Sequence, residues 1–162
     1  MKIISSHNTN QEYEMISNIT TEVKTILEKA KIIILDSFPL EISHHYGIDQ
    51  FSKYGNVTIT IINRAYCKKI IILFPQQAHP SHTHKIKEET FHILNGNMTL
   101  AVNGKDYYLN TGELFTIECG IPHSFYSEQG CIFEEISTTH NIDDSYYEDS
   151  IISQKKSTER NE

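Results

Sequence analysis

Long basic runs are missing from this chain. Its 14 lysines and arginines stand against 21 aspartates and glutamates, for a net charge of −7, and no basic run in its body exceeds a lysine pair. The electrostatic footprint of a nucleic-acid binder is therefore absent. Apolar runs are short as well. KIIIL at residues 31–35 and IIILF at residues 70–74 fall far below the roughly 20 residues that a membrane-spanning helix needs. The opening MKIISSHNTN has no secretory hydrophobic region, and a cytoplasmic protein without a membrane partner is expected. Cysteine is scarce and odd in number. Cys67, Cys119 and Cys131 show no pairing pattern, so buried free thiols in a reducing compartment are expected. At 162 residues with 38% hydrophobic content, the chain supports one core and not two.

Within that single domain the hydrophobic period changes along the chain. Tyr13, Ile16, Val23, Ile26, Leu27 and Ala30 recur at helical steps and predict an amphipathic helix over about residues 10–30, capped by Asn8 or Thr9. Residues 36–55 carry Pro39, Gly47 and Gly55 without a sustained period, and read as a loop-rich cover with at most one short strand. Its His44 and His45 are read as a solvated or interface pair, with a place in a substrate pocket as the alternative. From Asn56 the pattern turns β: Val57, Ile59 and Ile61 alternate, and residues 70–74 form a buried run. Asn95-Gly96 and Asn103-Gly104 both read as hairpin turns. Residues 114–117, 123–126 and 131–137 supply further strands, with a turn at 128–130. Many short strands at even spacing predict a closed antiparallel sandwich or barrel. The expected organisation is a helix and cover over residues 1–55, a barrel over 56–150 and a polar, disordered tail over 151–162.

Four residues carry the chemistry. In the run HPSHTHKIKEETFHILNG, His82 and His84 are one residue apart and share a face of an extended strand. Glu89 follows beyond KIKE, which breaks the parity and requires a short turn. His123, in GIPHSF, lies a hairpin later. Three imidazoles and a carboxylate suit a first-row divalent ion with coordination positions left open. A lone His-x-His is more often a surface pair than a metal site. Here a carboxylate, Gly96 and a second block of Gly112, Gly120 and His123 accompany it, which no simple core or turn argument requires.

These two blocks resemble the motifs of the cupin family. His82, His84, Glu89 and Gly96 match the first motif completely, and Gly112, Gly120 and His123 match the second. Glu118 replaces its usual proline and Ser127 its usual asparagine, neither of them at a ligand position. The resemblance implies an all-β, double-stranded antiparallel β-barrel, a jelly roll, here with an N-terminal α-helix. The longer stretch from residue 63 to 149 is similar to the D-lyxose isomerase group of cupins. The similarity rests on Tyr66-Cys67, Phe74-Pro75, KEETF at 87–91, and Glu135 to Thr138 with the acidic Asp143 and Asp144 behind them.

That resemblance implies an aldose–ketose sugar isomerase working through an enediol. It would use a divalent metal held by His82, His84, Glu89 and His123, manganese first, with zinc, iron, cobalt or nickel as alternatives. Lys87 and Glu135 would be its catalytic pair. By parity Phe133 and Glu135 share one face of their strand, and Ile132, Glu134 and Ile136 the other. If the Glu135 face lines the barrel, Glu135 is a usable base; the alternative is a solvated strand face. Lys87 is either an electrostatic partner of the reaction or an exposed lysine screening Glu88 and Glu89. Tyr126 and His92 are further polar candidates. No arginine cluster or glycine-rich phosphate cradle is present, which favours a neutral sugar. A homodimer is expected, because a small barrel has edge strands and a helix face to cover. Two other functions fit the same ligands: a non-catalytic sugar-binding cupin and an iron-dependent dioxygenase.

Overall fold

The computed structural model of the protein describes residues 10–153. The helix α1 spans Asn10–Lys29; its expected caps, Asn8 and Thr9, lie outside the described residues. Ile19, Val23 and Leu27 form its buried stripe. The expected stripe differs at its start, since Tyr13 is 58% exposed, one turn before the helix meets the sheet. The cover segment contains β1 (Leu40–His44) and the single-turn helix α2 (Phe51–Tyr54).

The barrel strands follow as β2 (Gly55–Asn63), β3 (Tyr66–Leu73), β4 (Gln77–Thr83), β5 (Glu89–Val102), β6 (Lys105–Asn110), β7 (Leu114–Ile117), β8 (His123–Ser127) and β9 (Cys131–Thr138). A two-residue β10 (Tyr146–Tyr147) closes the series. The strands run in the order β1-β2-β3-β9-β5-β8-β4-β10, with β6 and β7 also paired to β5. Every pairing is antiparallel. This is the curled, jelly-roll sheet of a cupin fold, with an N-terminal helix.

One expected hairpin is not a hairpin. Asn103-Gly104 turns the chain between β5 and β6, with positive φ at both residues (48° and 77°), as a tight two-residue turn demands. Asn95-Gly96 instead lies inside β5. There the strand changes partner, from β9 over Glu89 to Gly96 to β6 and β8 beyond, with a register shift between Ile93 and Asn95. Gly96 adopts φ +83°, and a Cβ there would collide with the Gly130 carbonyl oxygen. The dipeptide thus bends one long strand around the barrel.

Two apolar layers result. Inside the barrel, Ile71, Leu73, Phe91, Ile93, Leu100, Phe125 and Phe133 pack together. Outside, Ile19, Val23 and Leu27 of α1 cover Val57, Ile59, Ile70, Ile72 and Ile132. Alternate residues of β3 therefore serve different layers, which explains why this strand reads as continuously apolar. Cys67 and Cys131 are buried free thiols as expected, but Cys119 is exposed, because it sits on the turn before β8. The packed chain also reaches past residue 150: Ile152 is only 3% exposed. Of the expected tail, residues 154–162 lie outside the described residues.

Candidate metal centre and its polar surround

His82 of β4 and His123 of β8 are direct partners across their antiparallel ladder, which sets their rings 4.2 Å apart between centroids. His84 follows two positions later, so its ring returns to the same face, 4.9 Å from that of His82. Residues 85–88 then form the short turn that the broken parity requires, and β5 begins on Glu89. The chain thereby delivers three imidazoles and a carboxylate to one buried point. Their donor atoms all lie within 4.8 Å of one another.

The ring nitrogens are sorted by their backbone contacts. Nδ1 of His82 lies 3.1 Å from the Pro80 carbonyl, Nδ1 of His84 2.7 Å from that of Asp144, and Nδ1 of His123 3.1 Å from that of Ile121. A carbonyl only accepts, so each Nδ1 must carry the proton, and each Nε2 turns a lone pair toward the cluster. Burial pushes His82 well below the ordinary imidazole range, helped by His79 and His123, and it also lowers His84. Neutral imidazole is the form that binds metal. Glu89 Oε1 lies 2.7 Å from His123 Nε2 and 3.6 Å from His84 Nε2. Yet Glu89 Oε1 and His123 Nε2, both closed to water, make no hydrogen bond. Two converging lone pairs in a dry site fit a cation between them, so the residues present suit a divalent ion.

The other carboxylate oxygen of Glu89 opens a charged chain. Lys87, 3% exposed, places Nζ 2.5 Å from Glu89 Oε2 and 2.8 Å from Glu135 Oε1. Burial alone would lower the Lys87 ammonium, but Glu135 and Glu89 outweigh it and raise it above the ordinary lysine range. Burial raises Glu89 in turn, and the Lys87 ammonium helps to reverse this, leaving it below the usual carboxylate range. Glu135 is 5% exposed and sits beside inward Phe133 on β9, so its face lines the barrel. The solvated reading of each side chain is therefore excluded. Lys87 and Glu135 are buried and meet.

Two polar candidates lie elsewhere. His92 points to the outer face, where its Nδ1 meets Glu134 at 2.7 Å and Glu134 meets Lys68 at 2.7 Å. Tyr126 alternates with buried Phe125 and Ser127 and is exposed. In both cases β parity turns the side chain away from the lumen. His44 is exposed on β1, whereas His45 reaches inward. Its Nε2 lies 3.1 Å from Nε2 of buried His79, which stacks on Phe125.

Several residues of the surround carry little local signal. Asp144 is buried and its carboxylate accepts the backbone N–H groups of Lys85 at 3.0 Å, Ile86 at 3.1 Å and Lys87 at 2.9 Å. It is the splint of the 85–88 turn, and sequence reading found it only as part of an acidic run. Tyr147 lays its ring over His82, with centroids 5.4 Å apart and planes at 27°, because β10 pairs with the His82 end of β4. Lys69 is the cross-strand partner of Glu135 and is buried. Its parity with Ile71 and Leu73 is the signal that could have found it. His140 follows β9, and no residue pattern marks it.

A family model for the cupin domain matches residues 69–132. The chain is 30% identical to a D-lyxose/D-mannose isomerase of Thermosediminibacter oceani, across 80% of this chain and 88% of that protein. It is 27% identical to a D-lyxose ketol-isomerase of a Thermofilum species, across 77% of this chain and 86% of that one. Among solved structures, an L-ribose isomerase of Cellulomonas parahominis with L-psicose superposes with a TM-score of 0.72, over 86% of this chain and 93% of that one. At 11% identity this speaks for the fold alone.

Proposed function

This chain belongs to the D-lyxose isomerase family of cupins, and from that premise we propose that it interconverts a small free aldose and its ketose through an enediol. D-lyxose and D-mannose, named for the relatives, are the first sugars to offer. The observation that carries the reading is the buried chain Glu89–Lys87–Glu135 running from the imidazole cluster into the barrel.

The isomerisation moves one hydrogen from C2 to C1 and another from the C2 hydroxyl to the C1 oxygen. Glu135 takes the C2 proton and returns it to C1. Lys87, held as an ammonium between two carboxylates, balances the negative charge that grows on the sugar oxygens, giving a proton to the C1 oxygen and taking the C2 hydroxyl proton in return. His82, His84, Glu89 and His123 would hold a divalent ion, manganese first, which when bound supplies Lewis-acid polarisation of the sugar carbonyl. Asp144 keeps the turn between His84 and Lys87 in one shape. His79 and Tyr147 lie against the His82 ring, with His45 in contact with both, polar and aromatic groups that suit a polyhydroxylated ligand better than an apolar one.

A cytoplasmic setting is proposed because the three cysteines are free thiols. A homodimer is also proposed. The apolar stripe of α1 is covered by its own sheet, so the support that remains is the outer face, where Leu114 is 60% exposed and Tyr66, Tyr108 and Ile136 are exposed too. Light scattering at micromolar concentration tests it, and a monomer mass would contradict it.

The deciding experiment incubates the manganese-loaded protein with D-lyxose and D-mannose in deuterated solvent and follows exchange at C2. Wild type should exchange, and Glu135→Gln should lose on the order of a hundred- to ten-thousand-fold in turnover while keeping its metal. Full activity in Glu135→Gln would remove the proposed base. Absence of exchange for every pentose and hexose would leave a sugar-binding protein as the better reading.

A further inference from the structure

Glu135 is held from two independent elements, and the isomerisation as described uses only one of them. Lys87 reaches it from the 85–88 turn, with Nζ 2.8 Å from Oε1, and is shared with Glu89. Lys69 reaches the same oxygen from β3, as an ion pair with Nζ 4.0 Å away. Lys69 and Glu135 are register partners in the β3–β9 ladder, so their side chains leave the sheet side by side on the inward face. Cys67 with Ser137 and Ile71 with Phe133 flank them in the same ladder, and all of these residues are buried. The pair is thus walled in along both strand directions. On its other side Glu135 is the register partner of Phe91 on β5, 1% exposed, which offers a carboxylate no partner.

Two ammoniums on Oε1, with an apolar ring across from them, decide how the carboxylate stands. Both cations draw Oε1, and Oε2 makes neither contact. Lys87 alone is a single point of attachment, about which the carboxylate can still turn. Lys69 supplies the second point. It comes from a strand paired with Glu135's own, so its place beside Glu135 does not depend on the 85–88 turn. The buried charges also alternate, in the order Glu89, Lys87, Glu135, Lys69, and the run closes neutral. Without Lys69 one carboxylate would be left in excess inside the barrel.

We propose that Lys69 is a positioning residue for the proposed base: together with Lys87 it pins Glu135 Oε1 and leaves Oε2 to carry the proton. The inference rests on the isomerase reading for its place in a reaction. Oε2 takes the C2 proton while the C–H electron pair becomes the C1–C2 double bond and the carbonyl pair moves to the C1 oxygen, which Lys87 protonates. On return Lys87 takes the C2 hydroxyl proton, the C2 carbonyl forms, and the double-bond pair takes the proton from Oε2 at C1. One oxygen must therefore reach two neighbouring carbons in turn, and a misplacement of about 1 Å can cost on the order of a hundredfold in rate. Lys69 exchanges no proton in this scheme and acts only through Glu135.

The test is a double-mutant cycle on the manganese-loaded protein with D-lyxose and D-mannose, each variant checked for metal content and circular dichroism. Lys69→Met should lower turnover on the order of 10- to 100-fold and leave KM within about 3-fold of wild type. Lys69→Arg keeps the cation and should recover part of the loss. Added to Glu135→Gln, Lys69→Met should change the residual turnover by less than about 3-fold, since the group it positions is already gone. Equal losses in the two backgrounds, or an effect on KM alone, would overturn the proposal. Urea melts of the four metal-free proteins give a second cycle that needs no activity. Lys69→Met should lower the midpoint in wild type and lower it less, or raise it, in Glu135→Gln, where the lysine has lost its counter-ion; strictly additive shifts would show the two residues uncoupled and overturn the proposal. Should Lys69→Met fail to fold, Lys69→Gln carries both cycles. A wild type that exchanges no C2 proton would count against the isomerase reading, while the urea cycle would still decide whether Lys69 holds Glu135.

Discussion

His84 donates a hydrogen bond from Nδ1 to the carbonyl of Asp144, a residue 60 positions later in the chain, at 2.7 Å. The same Asp144 uses its carboxylate to hold the N–H groups of Lys85, Ile86 and Lys87. One residue therefore sets both the ring orientation of a proposed metal ligand and the path to the proposed catalytic ammonium.

Replacing that carboxylate should loosen both ends at once. Asp144→Asn is expected to cost on the order of 2–3 kcal/mol of stability at neutral pH, the loss of buried hydrogen bonds to a charged group, and to weaken metal binding about tenfold through His84. Urea unfolding and competition with a chelating dye measure the two losses. Unchanged metal affinity would separate the turn from the metal centre.

Acid should report the same group. Burial raises the Asp144 carboxyl, but the N–H groups of Lys87, Ile86 and Lys85 outweigh it and hold it below the ordinary aspartate range. Since the folded value is depressed, its stabilisation is complete above the unfolded value of about 3.9 and disappears as pH falls through the lower folded value. The metal-free wild type should lose more stability between pH 6 and pH 3 than Asp144→Asn does. Equal losses in urea melts at the two pH values would contradict this.

Metal should stabilise the fold as well as activate it. At manganese a thousandfold above its dissociation constant, the gain is about 4 kcal/mol, read as a rise in the thermal midpoint that a chelator reverses. His84→Ala should bind far less metal and lose most of this rise. Equal metal content in His84→Ala and wild type would remove the proposed ligand set.

Lys87→Met keeps an unbranched apolar stem but leaves the Glu89 and Glu135 carboxylates facing one another without a cation. Turnover should fall on the order of a hundred- to a thousandfold, with KM moved far less, because the ammonium is asked to act on charge that develops during the reaction. Steady-state kinetics on metal-checked protein decides. A pure KM effect would make Lys87 a binding residue.

Gly96→Ala tests the bend in β5. With φ at +83° and the Gly130 carbonyl oxygen in the way, the added methyl should cost at least about 2 kcal/mol. Denaturant melts give the value, and a neutral substitution would show that the strand can relax there.

Much of the site was legible in the chain because its signals are local. The two-residue step of His82 and His84 is a property of any extended strand, and the broken parity before Glu89 demanded the turn that residues 85–88 supply. The β9 alternation likewise announced which residues share a face, though not which face is inside. That choice belongs to the tertiary structure: α1 covers the Ile70, Ile72 and Ile132 side, which leaves Lys69 and Glu135 to the lumen. Asn95-Gly96 had the composition of a turn, and only the need for β5 to pair with β9 on one side and with β6 and β8 on the other made it a bend. Asp144 and Tyr147 reach the site through contacts across 57 and 65 positions of sequence. No local pattern encodes such contacts, because their energy exists only once the barrel has brought the distant segments together.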